Sequence, residues 1–409
     1  MKKGTVILAF SGGLDTSYCV PALAERGFSV ITLFVDTGGI TEADAKAIER
    51  RALTLGAAQH LHVDAREELW SSFVVPFVMG GSLYQDQYPL LCSDRYVIAQ
   101  NMASAAEAHD AVAIAHGCTA MGNDQVRFDV SLACLTDLPV LAPIRDVQAF
   151  TRTPRQYEID ALRNWGHDVD ATVKRYTINR NLLGATISGS EIDRFEPPAH
   201  DARQMTAPPE AWPGAPTRCT IEFAQGVAVA LDSVSMDGSA ILAKLNAMFG
   251  SHGVGRGIYT GDTVIGLKGR IVYEAPGLTA LLCAHRALDE LVLSRAQARA
   301  KPGIARQWTE LVYSGFFHDP VCQDLEAFLR STQRLVTGTV TLEAIGGGCT
   351  AVAVTSPNML TRAGASYAQH ADWSASDAEG FIKLLGMSSV MAATRSSQST
   401  PQHEVIGIA

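Results

Sequence analysis

Thr5-Val6-Ile7-Leu8-Ala9-Phe10 is an unbroken apolar run that passes straight into Ser11-Gly12-Gly13-Leu14-Asp15-Thr16-Ser17. A helical pattern over residues 15–26 follows and ends at Gly27. At that length the run reads as a buried parallel strand. The alternation then repeats. Val30–Val35 is a second such strand, Ala43–Leu55 an amphipathic helix closed by Gly56, and His60–Val63 a third strand. Residues 94–109 look helical and Ala111–Ala115 is another strand. Strands separated by helices of this length predict an α/β fold with a doubly wound parallel sheet. Right-handed crossovers put the loops after the strands along one edge, where ligands bind.

From about residue 170 the texture changes. Pro197-Pro198, Pro208-Pro209, Pro213 and Pro216 punctuate a loop-rich stretch. Thr217–Phe223 and Val227–Leu231 predict antiparallel strands, and Ala240–Phe249 a helix before the glycine-dense Gly250–Gly261. Thr263–Leu267 and Arg270–Tyr273 look like a hairpin around Lys268-Gly269. Leu278–Arg299 reads as one long helix, Thr337–Leu342 and Thr350–Val354 as strands, and residues 376–393 as a last helix. The expected organisation is an α/β domain over residues 1–168, an α+β domain over 169–370, and a C-terminal helical arm with a polar tail over 371–409. No internal repeat or low-complexity block interrupts it.

Composition narrows the classes. The chain has 409 residues, 47% hydrophobic and 18% charged, enough to bury a substantial core. With 33 Lys and Arg against 42 Asp and Glu, the net charge of −9 argues against a nucleic-acid-coating protein. No apolar stretch approaches the ~20 residues of a membrane helix. Met1-Lys2-Lys3-Gly4 runs into the first strand without the apolar block of a signal peptide. The eight cysteines form no CxxC pair and no zinc-ligand spacing, which predicts reduced, mostly buried thiols in a cytoplasmic protein without a bound metal.

The Ser11–Ser17 loop is suited to a phosphate or pyrophosphate. Its glycines permit positive φ and close backbone approach, and the helix start adds partial positive charge. Ser11, Thr16 and Ser17 add hydroxyls. It is neither a Walker A loop nor a dinucleotide fingerprint. A plain Ser-Gly-Gly turn capping a helix is the alternative. A second loop, His116-Gly117-Cys118-Thr119-Ala120-Met121-Gly122-Asn123-Asp124-Gln125-Val126-Arg127-Phe128, also follows a predicted strand. Asn123 and Thr119 suit carboxylate oxygens, Arg127 a bidentate carboxylate, and Asp124 an amine. The structural alternative is a polar turn with Asp124 and Arg127 paired at i, i+3.

The first loop resembles the SGGxDS pyrophosphate loop of the ATP-pyrophosphatase (N-type) superfamily. In detail, both loops are similar to the argininosuccinate synthase family, whose motifs read SGGLDTS and HGxTxxGNDQVRF. Further matches follow in the family's order: Tyr84-Gln85-Asp86-Gln87-Tyr88, Ala142-Pro143-Ile144-Arg145, Asn181-Leu182, His252-Gly253-Val254-Gly255-Arg256, Val272-Tyr273-Glu274-Ala275-Pro276-Gly277, Glu310-Leu311-Val312-Tyr313 and Asp377-Ala378-Glu379-Gly380-Phe381-Ile382. The resemblance covers nearly the whole chain.

It implies an adenine-nucleotide alpha hydrolase-like domain, a synthetase domain and an oligomerisation arm, in a cytoplasmic homotetramer. It implies a ligase using ATP and Mg²⁺, with small-molecule substrates and neither nucleic acid nor membrane as partner. A ureido oxygen attacks the α-phosphorus of ATP, pyrophosphate leaves, and the L-aspartate amine displaces AMP. By position, Ala9, Phe10, Ser11, Gly12, Gly13, Leu14, Asp15, Thr16 and Ser17 would bind ATP, with Val35 beside adenine and Gly117 touching the nucleotide. Thr119, Asn123 and Asp124 would bind aspartate. Tyr88, Ser93, Asn123, Arg127, Thr177, Thr186 and Tyr273 would bind the ureido substrate, L-citrulline or a similar acceptor. Asp15, Asp124 and Arg127 are the expected catalytic residues.

The family's Ala-Arg-Pro after Ser93 is replaced, so that Tyr96 stands at its arginine. Two family serines fall at Thr177 and Thr186, the aspartate before Asn-Leu becomes Asn179, Met121 replaces Lys or Gln, and the citrulline-binding glutamate falls at Gly261. A lost carboxylate contact costs about 1.5–3 kcal/mol. The sequence therefore leaves three readings: compensation by Glu222, Asp262 or Glu274; a paralogue with a different ureido acceptor; or a silent ATP-binding paralogue. Decoys remain: His60 and His62 alternate on a strand, Tyr84 and Tyr88 share a helical spacing, and Arg295, Arg299 and Lys301 fit a solvated helix face.

Overall fold

A computed structural model describes residues 3–169, 175–361 and 372–398. Residues up to Met359 form one compact unit, and those from Leu360 a second. The first unit opens with β1 (Thr5–Ala9), α1 (Leu14–Glu25), β2 (Ser29–Asp36), α2 (Glu42–Thr54) and β3 (Gln59–Asp64). A helical stretch follows as α3 (Arg66–Leu69), a π-turn over Trp70–Val74, and α4 (Val75–Gly80). Then come α5 (Asp94–Ala108), β4 (Ala113–Ala115), α6 (Asp124–Leu135), β5 (Val140–Leu141), α7 (Pro143–Phe150) and α8 (Pro154–Asn164). The five strands pair in parallel in the order β3-β2-β1-β4-β5, the doubly wound sheet that the alternation predicts.

The apolar run buries both faces of β1. Val6 and Leu8 join one core with Tyr18 and Leu23 of α1, Ile144 of α7 and Ile159 of α8. Ile7 faces the opposite core with Leu33, Val97 and Met102. The two loops that follow β1 and β4 flank the point where strand order reverses, the preferred ligand crevice of such sheets.

The remainder of this unit holds two antiparallel sheets. One runs β11-β12-β7-β6, from β6 (Thr177–Asn181), β7 (Gly184–Ser188), β11 (Arg256–Asp262) and β12 (Lys268–Glu274). The other runs β10-β9-β8-β13-β14, from β8 (Thr217–Ala224), β9 (Val227–Leu231), β10 (Val234–Ser235), β13 (Gly338–Ile345) and β14 (Gly348–Thr355). α9 (Gly238–Gly250), α10 (Pro276–Val292), α11 (Arg295–Ser314) and α12 (Pro320–Thr332) complete it. The β6–β7 turn is tied to the parallel-sheet region by one backbone and one side-chain bond: Leu182 N–H donates to Thr37 O at 2.8 Å, and Asn181 Nδ2 donates to Leu91 O at 2.9 Å.

Several sequence expectations are corrected. The single helix over 278–299 is two, because Ser294 opens α11 with a capping box closed by Gln297. The second half of the glycine-dense segment is a strand: β11 starts at Arg256, and the hairpin turns at 263–267 rather than at Lys268-Gly269. Tyr84 and Tyr88 sit on a tight turn, not a helix, with Tyr84 N–H donating to Tyr88 O at 2.9 Å. Only Cys19, Cys219 and Cys322 are buried, and Cys134 is exposed; all eight cysteines are free.

The second unit carries α13 (Ala375–Gln398), longer than the sequence expectation, with Phe381, Leu384, Leu385 and Val390 exposed. The expected boundary at 370/371 lies outside the described residues. Among the described residues no helix is long and apolar enough to cross a membrane.

Candidate active site

The first strand ends at Ala9, and Phe10 is buried with its N–H donating to Leu33 O at 2.9 Å. Gly12 then adopts φ +76°, and Gly13 starts α1 without any side-chain cap. The first intrahelical bond is Ser17 N–H to Gly13 O at 2.9 Å. The N–H groups ahead of it are open to an anion, which is what an uncapped helix start offers. Thr16 Oγ1 lies 3.4 Å from Ser11 Oγ and donates to Gly13 O at 3.3 Å. Ser17 is less free than its motif suggests: it is buried, and its Oγ accepts from Arg51 Nε at 2.8 Å. Nothing local in the sequence links Arg51, on α2, to Ser17. Val35 is buried two residues beyond the β2 partner of Ala9.

Asp15 lies close to Glu158 of α8, which is buried and whose Oε2 has no hydrogen-bond partner. Burial, then the Asp15 charge, pushes the Glu158 carboxyl up to about 8. At neutral pH Glu158 is thus the protonated one of the two.

The loop after β4 touches the phosphate loop. A Cβ on Gly117 would lie 3.0 Å from Thr16 Cγ2 and 3.2 Å from the Thr16 nitrogen, so the backbones are in contact there. His116 is fixed by Asp129, 2.8 Å from Nε2, while its Nδ1 accepts from Cys118 N–H at 3.2 Å. Arg145 Nη1 also donates to Asp129, at 2.6 Å, leaving its buried Nε and Nη2 without protein partners. Thr119 Oγ1 accepts only a long 3.4 Å contact from Met121 N–H.

At its far end the loop delivers Asn123, Asp124 and Arg127 to α6. The Asp124–Arg127 pair is present, Nη1 to Oδ1 at 3.0 Å, but it belongs to a larger array. Arg95 donates to Asp124 Oδ2 through Nε at 3.1 Å and Nη2 at 3.0 Å, and through Nη1 to buried Asp94 at 2.6 Å. Burial would raise the Asp124 carboxyl; the Arg95 and Arg127 charges outweigh it and hold Asp124 below the usual carboxylate range. Arg127 is 2% exposed and also donates to Tyr313 O at 2.8 Å, which leaves only Nε unpaired. Its fork is therefore not open for a bidentate carboxylate, contrary to the sequence expectation. Arg95 was legible only as part of a departure, one residue before the position where the family's arginine was sought. Tyr96, at that position, is buried, donates to Val312 O and stacks on Phe317.

Five tyrosines close the other wall. Tyr84 stacks on Tyr313 at 3.6 Å between centroids, and Tyr88 contacts Tyr259, Tyr273 and Tyr313 at 5.5–6.2 Å. Tyr313 receives Asn123 Nδ2 on its hydroxyl at 3.3 Å and lies under the Arg127 guanidinium. Tyr273 and Thr186 are cross-strand partners, and the pairing of Asn179 with Thr186 and Thr177 with Ser188 puts Thr177 on the same sheet face, exposed and further out. Ser93 is fully buried, its Oγ donating to Leu90 O at 2.9 Å. Tyr259 was not identified in the sequence, because only strand pairing brings it here.

Gly261 lies on this face too. A Cβ there would overlap the Tyr259 hydroxyl and Gln85 Oε1, so a glutamate would have to displace both side chains. Tyr259 donates to Gln85 Oε1 at 3.0 Å, and Gln85 Nε2 donates to Asp262 Oδ2 at 3.0 Å. Of the three carboxylates considered for its replacement, Glu274 is buried and bound to the N–H groups of Gln204, Met205 and Thr206. Glu222 lies on β8, in the other sheet. Asp262 alone borders the tyrosine wall, paired with Lys268.

Comparison with known proteins accords with this arrangement. Residues 5–162 match the model of the arginosuccinate synthase N-terminal HUP domain, and residues 176–392 that of the arginosuccinate synthase C-terminal domain. The chain is 55% identical over 393 residues to the argininosuccinate synthase of Xanthomonas campestris pv. campestris, covering 96% of this chain and 99% of that protein. It is 39% identical to that of Bacillus subtilis, covering 84% of each.

Proposed function

The chain belongs to the argininosuccinate synthase family, and on that premise we propose how its residues divide an ATP-dependent ligation of citrulline to aspartate. The enzyme is a carbon–nitrogen ligase. One observation carries the division of labour: a single loop touches the phosphate cradle at Gly117 and holds Asn123, Asp124 and Arg127 at its other end. The reaction needs this arrangement, since one substrate oxygen must meet the α-phosphorus and then leave with it.

The open N–H groups of α1, with Ser11 and Thr16, hold the departing pyrophosphate, and Ala9, Phe10 and Val35 frame the nucleotide. Mg²⁺, when bound, would offset charge on the phosphates. Among the described residues no group of three His, Cys, Asp or Glu could hold a metal ion. Asp15, a single carboxylate at the loop, fits a cation carried mainly by phosphate oxygens and water. The unpaired Arg145 donors offer a further anion contact. Asp124, kept ionised and side-on to solvent, orients the aspartate ammonium before it loses its proton and attacks. Thr119 and Asn123 take the aspartate carboxylates. Tyr88, Tyr273 and Thr186 line the ureido side, with Thr177 at its outer edge and the buried Ser93 behind it, and Asp262 substitutes for the carboxylate missing at Gly261.

The extent of the family match favours citrulline over a different ureido acceptor and over a silent paralogue. We further propose a cytoplasmic homotetramer, supported by the eight unpaired cysteines and by the exposed apolar side chains of α13. The expected limit at 168/169 is supported by the gap between the two family matches; the second match runs on to residue 392, past the expected limit at 370. The test is product analysis with ATP, citrulline and aspartate. Equal release of AMP and pyrophosphate with argininosuccinate is expected. Cleavage to ADP, or no turnover with citrulline while another ureido compound reacts, overturns the reading.

A further inference from the structure

Helix α6 holds the loop after β4 at both ends. Its start carries Asn123 and Asp124, and further along it Asp129 reaches back to His116, the first residue of the loop. His116 is 1% exposed and stacked on Phe128, and its backbone N–H donates to Leu141 O at 3.1 Å. Its ring makes two hydrogen bonds. Nδ1 lies 3.2 Å from the Cys118 backbone nitrogen, and Nε2 lies 2.8 Å from Asp129 Oδ1. A backbone N–H can only donate, so Nδ1 accepts and carries no proton. The ring is then neutral with its proton on Nε2, and Asp129 accepts that proton's hydrogen bond. Arg145 Nη1 donates to the other oxygen, Asp129 Oδ2, at 2.6 Å and fixes the carboxylate in turn. Gly117 stands between His116 and Cys118, its backbone resting on Thr16 of the phosphate loop. The next anchor of the loop backbone is Ala120 N–H on Gln148 Oε1 at 2.7 Å, so the bend at Gly117 depends on the His116 ring.

We propose that Asp129 is a positioning residue for the ATP step: it holds His116 in the Nε2-protonated form, which makes Nδ1 an acceptor and seats the Gly117 backbone against the phosphate loop. This role rests on the nucleotide contact proposed for Gly117. The position requires a carboxylate and not merely a polar side chain of that size. In Asp129→Asn, Arg145 can only donate, so it keeps the amide oxygen. The amide N–H group then faces His116 and donates to Nε2. The ring proton moves to Nδ1, where it opposes the Cys118 N–H, donor against donor. That bond is lost, and Gly117 is released from its seat. The ureido side, built by Tyr88, Tyr273 and Thr186 on other elements, stays as it is.

The experiment compares the full-length protein with its Asp129→Asn variant. Nitrogen spectra of the labelled histidine rings read the tautomer, with the His116 signals identified by their loss in His116→Gln. ATP titration and steady-state kinetics read the consequence. The wild-type His116 ring should be protonated at Nε2, and the variant's at Nδ1. The ATP Kd of the variant should rise roughly ten- to a hundredfold, as when a metal-ligating histidine loses its orienting carboxylate, with the citrulline KM unchanged. A wild-type ring protonated at Nδ1 overturns the proposal. So does a variant in which tautomer and ATP affinity do not change together, or in which neither changes. If Asp129→Asn does not fold, Asp129→Ala is titrated in its place: weaker ATP binding with an unchanged citrulline KM supports the role, and unchanged ATP binding overturns it. A wild type that binds ATP but forms no argininosuccinate strikes the ligase reading instead, and the ring spectra and ATP titration still decide the role of Asp129.

Discussion

Asp124 holds its charge because two guanidinium groups outweigh its burial, and Arg95 makes four charge-assisted bonds, two to Asp124 and two to Asp94. Each such bond is worth about 1.5–3 kcal/mol. Arg95→Ala should raise the KM for aspartate about ten- to a hundredfold by affinity arithmetic, with a smaller change for ATP. Steady-state kinetics with each substrate varied checks this; an unchanged aspartate KM removes Arg95 from the site. Gly261 is the second residue-scale test. Its neighbours Tyr259 and Gln85 fill the volume a side chain needs. Restoring the family residue by Gly261→Glu should lower stability by roughly 1–3 kcal/mol through overpacking and should not improve citrulline binding. Urea unfolding and citrulline titration read both.

The β1–loop–α1 element works because the loop leaves the helix start uncapped and bends at Gly12, φ +76°. An L-residue in that region costs about 1–2 kcal/mol, and its Cβ would also press on Ile48 Cγ1 at 3.3 Å. Gly12→Ala should therefore weaken ATP binding about five- to thirtyfold by affinity arithmetic while circular dichroism stays unchanged. Pyrophosphate–ATP isotope exchange measures the loss. In the β11–β12 hairpin, small residues do the opposite work. Gly257 lets the Tyr273 ring lie over the strand, and Gly261 admits the Tyr259 hydroxyl, so glycines that look loop-like in sequence are the seats of aromatic side chains.

At the scale of the molecule, the buried Glu158–Asp15 contact couples stability to pH. The folded value of Glu158, about 8, lies above its ordinary 4.5, so the folded state keeps a proton that the unfolded chain releases. Stability should then fall as pH rises from about 4.5 to about 8, with a slope of up to ~1.4 kcal/mol per pH unit, and level off above. Glu158→Gln should flatten that slope and be the more stable form above pH 8. Urea midpoints across the range decide it; an unchanged slope in the variant shows that Glu158 is not the group responsible.

Local order was readable because it is written at short range. The apolar run of β1, the glycines after it and the Gly56 that closes α2 each fix their own backbone, and the two loops announced their chemistry by composition. What the chain order could not give was adjacency. Arg95 and Asp124 lie 29 residues apart, Gln85 and Asp262 lie 177 apart, and Asn123 and Tyr313 lie 190 apart. Only strand order and the packing of α11 against the Tyr84–Tyr88 turn bring them together. The residue types and the loops were thus set by the sequence. Which guanidinium serves which carboxylate, and what a side chain at 261 would have to displace, were decided by tertiary packing, because filled volume and charge pairing depend on neighbours in space.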